Sequence, residues 1–286
     1  MRDHDHHDDH GGLHRDLAAT GALIGRRRLL RLAAGFGAAA GTLQLVGCGG
    51  DSPTSPSATT TAPDATPAPT TTTPPTSSNA CGRVPEETAG PFPGDGSNGP
   101  TVLSASGVVR SDIRSSFAGL SGTAAGVPLN IVLSIVSAAT CAPLAGYAVY
   151  IWHCDREGRY SLYTSGVTNQ NYLRGVQQAD ASGRVSFTSI YPGCYAGRWP
   201  HIHFEVFPTL SAAASVSNKV ATSQIALPKT ANDLVYATAG YEASVRNAAQ
   251  ITLASDNVFS DGSSLELATM SGSVADGLTA TLTVAV

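Results

Sequence analysis

Charge is scarce in this chain. Only 13% of its 286 residues are Asp, Glu, Lys or Arg, and only two, Lys219 and Lys229, are lysine. Residues 80–286 carry 11 basic and 14 acidic side chains, a net −3. A nucleic-acid partner would call for a basic stripe, and none is present. Long hydrophobic runs are also missing. Leu32 to Val46 is a mildly apolar stretch rich in Ala and Gly, too short and too weak to span a membrane. No internal repeat occurs, and strands do not alternate with long helices, which excludes a parallel α/β fold. Beyond residue 14 the sequence has only three histidines, His153, His201 and His203.

The first 48 residues read as an export signal. A His/Asp-rich start without apolar periodicity precedes Gly25-Arg26-Arg27-Arg28-Leu29-Leu30-Arg31, which resembles a twin-arginine pattern. The apolar run then ends in Leu45-Val46-Gly47-Cys48, which looks like a lipobox and points to an acylated cysteine. Thr, Pro, Ser and Ala dominate 49–79, a composition that cannot bury a core and reads as a disordered tether. Membrane contact is expected only through the lipid anchor, with the protein exported to the cell surface or periplasm. Four cysteines follow Cys48: Cys81, Cys141, Cys154 and Cys194. In an exported protein they permit two disulfides, and sequence leaves the pairing open.

Residues 80–286 suit one domain of short β-branched strands broken by Gly, Pro, Asn and Asp. Strands are expected at Leu129–Val136, Tyr147–Trp152, Val185–Ile190, His201–Phe207, Val220–Leu227, Ile251–Ala254, Leu265–Met270 and Leu278–Val286. A short helix is expected within 240–250. The fold class is all-β, an antiparallel sandwich.

His201-Ile202-His203 carries the most chemical information. Residues two apart on a strand share a face, so both imidazoles leave one side while Ile202 points to the other. That is half of a metal site. The nearby tyrosines are candidates to complete it.

From 152 to 204 the chain resembles the intradiol ring-cleavage dioxygenases, the catechol and protocatechuate dioxygenase family, and most closely their exported branch. The matching frames are Gly158-Arg159-Tyr160, Pro192-Gly193-Cys194-Tyr195, Gly197-Arg198 and His201-Ile202-His203-Phe204. Glu87-Thr88-Ala89-Gly90-Pro91-Phe92, Arg110-Ser111-Asp112-Ile113 and Ser223-Gln224 also match. The resemblance covers about residues 81–230 well and the last fifty poorly.

It implies a sandwich of the intradiol core type and an iron(III) ion held by Tyr160, Tyr195, His201 and His203. It also implies Arg198 beside the substrate and Gln224 in or behind the pocket. The implied reaction uses O2 to open a catechol-type ring between its two hydroxyl-bearing carbons, giving a muconate-type diacid. Tyr195 would leave the metal as a neutral phenol. Pocket walls are expected within 88–95 and 161–175, and a homodimer is among the assemblies the resemblance allows. Cys194 departs from the family pattern. A thiolate beside Tyr195 would threaten ferric iron, and a disulfide to Cys154 or Cys81 would remove that threat.

The ligand types suit the ion. Ferric iron prefers anionic oxygen, and two phenolates with a hydroxide leave a neutral centre that tolerates apolar surroundings. Free tyrosine ionises near pH ~10, so a strong cation is needed to keep both rings deprotonated.

Plainer readings apply elsewhere. Tyr147, Tyr150, Tyr163, Tyr172, Tyr191, Tyr236 and Tyr241 read as packing residues. His153 reads as structural, and Trp199 either walls the pocket or packs. Arg198 could instead pair with Asp155 or Glu205. Two other functions compete: a zinc hydrolase using Asp155 or Glu205, and an exported β-sandwich binding protein with a structural metal.

Overall fold

A computed structural model describes residues 81–286. The signal segment 1–48 and the linker 49–79 lie outside the described residues. Strand β1, Pro128–Val136, shows how the chain builds its core: Leu129, Ile131, Leu133 and Ile135 alternate along it and are all fully buried. β4, Arg184–Ile190, repeats the pattern with Val185 and Phe187 inside and Arg184, Ser186 and Thr188 exposed. These two pair antiparallel, β8 (Gly277–Ala285) joins β1, and β7 (Thr269–Ser273) forms the edge, in the order β4-β1-β8-β7. The second sheet runs β3-β2-β5-β6, with β2 Ala148–Trp152, β3 Arg174–Gln178, β5 His201–Phe207 and β6 Ala221–Ala226, all antiparallel.

The sandwich core lies between the sheets. It joins the apolar residues of β1 and β4 to Val149, Ile151, Ile202, Phe204, Val206 and Ile225. The expected all-β sandwich is present. One pair, β1 with β8, runs parallel, because β8 closes the sheet from the far end of the chain.

The two sheets differ in what covers them. β4 keeps one face in water, whereas every residue of β2, β5 and β6 is buried. Sheet two therefore has a second, inner-facing surface, carrying Tyr150, Trp152, His201, His203, Glu205, Thr222 and Gln224. Cross-strand pairs Trp152–His203, Tyr150–Glu205, His203–Gln224 and Glu205–Thr222 fix their register. Val102, Leu103, Val108 and Phe117 cover this face from the N-terminal side, with Tyr160 from the β2–β3 loop.

Arg174, the first residue of β3, locks the cover. Its guanidinium donates to the carbonyls of Pro93 at 2.6 Å, Phe92 at 2.9 Å and Ser161 at 2.9 Å, to Ser161 Oγ at 3.0 Å and to Tyr150 Oη at 3.2 Å. A fully buried cation is costly unless its donors are met, and here Nε, Nη1 and Nη2 all find acceptors.

Three expectations are corrected. Ile251–Ala254 forms no strand: Thr252 and Ser255 exchange side-chain to backbone bonds that favour a turn. β7 starts at Thr269, because 265–268 first pairs with β6 through Ala226 before crossing to the other sheet. β3 and helix α1 (Lys229–Tyr236) lack apolar signals strong enough to be expected, while α2, Glu242–Ala248, falls in the expected region.

Cys81 is bonded to Cys141 across 60 residues, tying the start of the described chain to the β1–β2 connection. Cys154 and Cys194 are free and buried, so one disulfide forms where two were permitted. Replacing both Cys81 and Cys141 by Ala should lower unfolding free energy by about 2–4 kcal/mol. Urea denaturation of both proteins measures the difference, and an unchanged midpoint would show that the bond constrains nothing.

Candidate active site

His201 and His203 leave the covered face of β5 together, with Nε2 atoms 2.9 Å apart and ring planes at 80°. His201 Nδ1 lies 2.6 Å from the Trp199 carbonyl. A carbonyl only accepts, so Nδ1 carries the proton and Nε2 presents a lone pair inward. His203 stacks on Trp152 at 4.8 Å with planes 4° apart, and its buried Nδ1 has no hydrogen-bond partner among the described residues. Burial drives the His201 pKa down to about 3, helped by the Arg198 charge, and drives that of His203 well below its usual value.

Tyr160 completes a triangle. Its Oη is 3.2 Å from His201 Nε2 and 3.4 Å from His203 Nε2. The turn that delivers it is organised by Asp155. One carboxylate oxygen accepts from the Glu157 and Arg159 backbone N–H groups, and the other from Arg159 Nε and Tyr172 Oη. Gly158 sits at φ +82° and approaches the Cys194 carbonyl closely, which draws the Tyr160 and Tyr195 loops together.

Tyr195 packs edge-on to Tyr160, ring centres 5.7 Å apart, with its hydroxyl oxygen buried. Helix α2 holds its loop: Ser244 Oγ accepts from Cys194 N at 2.9 Å, and Asn247 Nδ2 donates to Cys194 O at 2.8 Å. The Cys194 thiol points at the Arg198 carbonyl, 3.4 Å away, and burial pushes its pKa up to about 12. The side chain is thus a protonated thiol rather than a thiolate. The disulfide to Cys154 or Cys81 is absent, and burial disfavours the thiolate instead.

Phe92 lies over the tyrosines, with ring centres 5.0 Å from Tyr160, 5.3 Å from Tyr163 and 5.8 Å from Tyr195. It falls within the stretch expected to wall the pocket. Gly90, at φ +68°, leaves room for His203: a Cβ there would stand 3.3 Å from His203 Cε1.

Arg198 is nearly buried and paired with neither Asp155 nor Glu205. Its Nε donates to Asp256 Oδ2 at 3.0 Å, and Nη2 donates to Asp256 Oδ1 at 3.3 Å and to Gln224 Oε1 at 2.8 Å. Gln224 Nε2 donates in turn to the Thr88 carbonyl at 2.8 Å. Asp256 lies in the C-terminal stretch that matched the family least, and no local motif marks it. Trp199 packs rather than walls the pocket: it joins Ala226, Val258 and Phe259 and donates Nε1 to Leu227 O.

The donor set suits a hard trivalent ion. An imidazole lone pair, a second imidazole nitrogen and a phenol oxygen converge within 3.4 Å, and burial disfavours a proton on the two imidazoles. Among the described residues no group of three or more His, Cys, Asp or Glu could hold a metal. The carboxylates a zinc site would need are engaged elsewhere. Asp155 serves its turn, and Glu205 receives Lys219 Nζ at 2.9 Å.

Residues 108–222 match the family model described as Dioxygenase, a span holding Tyr160, Tyr195, Arg198, His201 and His203 and ending just before Gln224. Among solved structures, the chain is similar to an intradiol ring-cleavage dioxygenase from Tetranychus urticae, at 24% identity and TM-score 0.57, covering 72% of this chain and 94% of that one. It is also similar to the dioxygenase domain of a carbohydrate-binding fusion from Streptomyces sp. SirexAA-E, at 21% identity and TM-score 0.45, over 72% and 98%. Catechol 1,2-dioxygenase from Pseudomonas arvilla C-1 follows at 20% and 0.44, over 70% and 61%. No curated protein matches the chain.

His153 has both ring nitrogens occupied, Nδ1 by the Cys154 carbonyl at 2.7 Å and Nε2 by Ser189 Oγ at 2.7 Å. Burial pushes its pKa down to about 4. The unfolded chain binds a proton near pH ~6.5 and the folded one does not, so stability is full above that value and is lost as pH falls toward 4. The contribution is about 3 kcal/mol. Thermal melts of the metal-free protein from pH 7 to 4.5 should fall steeply, and less steeply for His153→Gln; parallel curves would refute it.

Proposed function

We propose that this chain, which has the fold of the intradiol ring-cleavage dioxygenases, is a non-haem iron(III) dioxygenase that opens catechol-type diols between the hydroxyl-bearing carbons. The meeting of Tyr160 Oη with His201 Nε2 and His203 Nε2, beside the Tyr195 ring, carries the reading. Tyr160, Tyr195, His201 and His203 would hold the ion. Bound iron(III) would supply a Lewis acid that polarises both oxygens of the diol and keeps the phenols ionised.

The remaining chemistry belongs to the chain. Tyr195 would take a diol proton on its phenol oxygen, and the hold of α2 on the neighbouring Cys194 backbone supports its loop. The Trp199 carbonyl fixes the His201 tautomer so that Nε2 never carries the competing proton. Arg198 brings a cation to negative charge that builds on the ring, and Gln224 holds that cation against β6. Phe92 keeps water from the tyrosines, which strengthens each of these interactions. The Asp256 pairing takes Nε and Nη2 of Arg198 and leaves Nη1 for the substrate.

The same reading places the domain outside the cytoplasm on a lipid anchor at Cys48. A fusion of residues 1–60 to a reporter should be exported, and cytosolic retention would reject this part.

Oxygen uptake with a panel of diols, an iron assay and a visible spectrum test the function. Iron-loaded protein should be coloured by phenolate-to-iron charge transfer and should consume O2 with at least one diol. Tyr160→Phe should weaken and shift the band, leaving the part that Tyr195 supplies, and should lose at least about 100-fold in kcat/KM. A colourless protein after iron reconstitution would favour the zinc or binding-protein readings.

A further inference from the structure

Arg198 reaches the covered face with most of its donors already spent. Asp256 takes Nε at 3.0 Å and Nη2 at 3.3 Å as a two-point pair, and Gln224 takes Nη2 again at 2.8 Å. Nη1 makes no hydrogen bond among the described residues. Arg198 is 6% exposed and Asp256 is fully buried, so the pair is desolvated and its orientation is fixed.

Asp256 is itself held rigidly. Its Oδ1 accepts from the backbone N–H groups of Val258 at 2.8 Å and Phe259 at 3.2 Å, and its Oδ2 accepts from Trp199 N at 2.7 Å. Burial would raise its pKa, but the Arg198 guanidinium, with the Trp199 N–H, holds the carboxyl below the usual carboxylate range. The carboxylate therefore acts as an anchored anion set by the C-terminal segment, 58 residues from Arg198 in sequence.

We propose that Asp256 is the positioning residue of this site: by occupying the Nε and Nη2 edge of Arg198 it leaves Nη1 as the group that meets the bound diol. This rests on the dioxygenase reading above. A buried arginine without that partner would turn its fork toward the nearest carboxylate or carbonyl. The donor aimed at the ring would then be lost even though the charge remained. The Trp199 bond extends the same control to the strand entering His201, since the carbonyl of that residue receives His201 Nδ1.

Two measurements on the full chain separate this proposal from the function it serves. In metal-free wild-type protein, NMR should show a slowly exchanging arginine Nε–H besides that of the fully buried Arg174, identified by its disappearance in Arg198→Lys. Exchange as fast as in exposed arginines would overturn the clamp, whatever the enzyme does. In iron-loaded Asp256→Asn, the visible charge-transfer band and anaerobic diol affinity should stay within about threefold of wild type while kcat falls about 100-fold. Asp256→Glu, which keeps the charge, should recover part of that loss. A kcat that falls only in proportion to bound iron or folded protein would make Asp256 merely structural and overturn the proposal, as would an unchanged kcat. If Asp256→Asn does not fold, the wild-type exchange measurement and Asp256→Glu carry the decision. If wild-type protein turns over no diol, the dioxygenase reading fails first, and the exchange result alone judges the clamp.

Discussion

Strand β5 is buried on both faces, and the rest of the site follows from that constraint. Ile202, Phe204 and Val206 satisfy the sandwich core, as any central strand would. His201, His203 and Glu205 on the opposite side are polar and buried, so their hydrogen bonds must come largely from inside the protein. The aromatic cover keeps the imidazoles neutral rather than cationic.

The Phe92 and Tyr160 parts of the cover are joined by a buried cation. Arg174 joins two loops that share no ladder, the one bearing Phe92 and the one bearing Tyr160, through carbonyls on each. Arg198 does the same between β6 and the C-terminal segment, through Gln224 and Asp256. The two arginines differ in what remains: Arg174 has committed Nε, Nη1 and Nη2, whereas Arg198 keeps one nitrogen. That difference separates a fastener from a group able to meet a ligand.

The legible parts of the sequence were those with short-range signals. The alternation in β1, β4 and β5 and the two-residue spacing of the histidines come from backbone geometry alone. Tyr160 and Tyr195 needed the family frames, because a tyrosine in a β domain carries no mark of its role. Asp256 and Arg174 were missed for one shared reason: each acts on residues far away in sequence, and neither stands in a local pattern. The Cys194 problem was correctly posed and wrongly solved, since burial of a thiol is invisible in composition. Lys229–Tyr236 escaped because only Pro228 announces it and its apolar residues are few.

The Cys81–Cys141 bond has a mechanical consequence. Cys81 lies seven residues before Thr88, whose carbonyl receives Gln224, and eleven before Phe92. A pull on the chain ahead of Cys81 is therefore borne by the sulfur link and the start of the β1–β2 connection. Little of that force is passed on to the aromatic lining, so whatever drags at the N-terminal side leaves the donor triangle undisturbed.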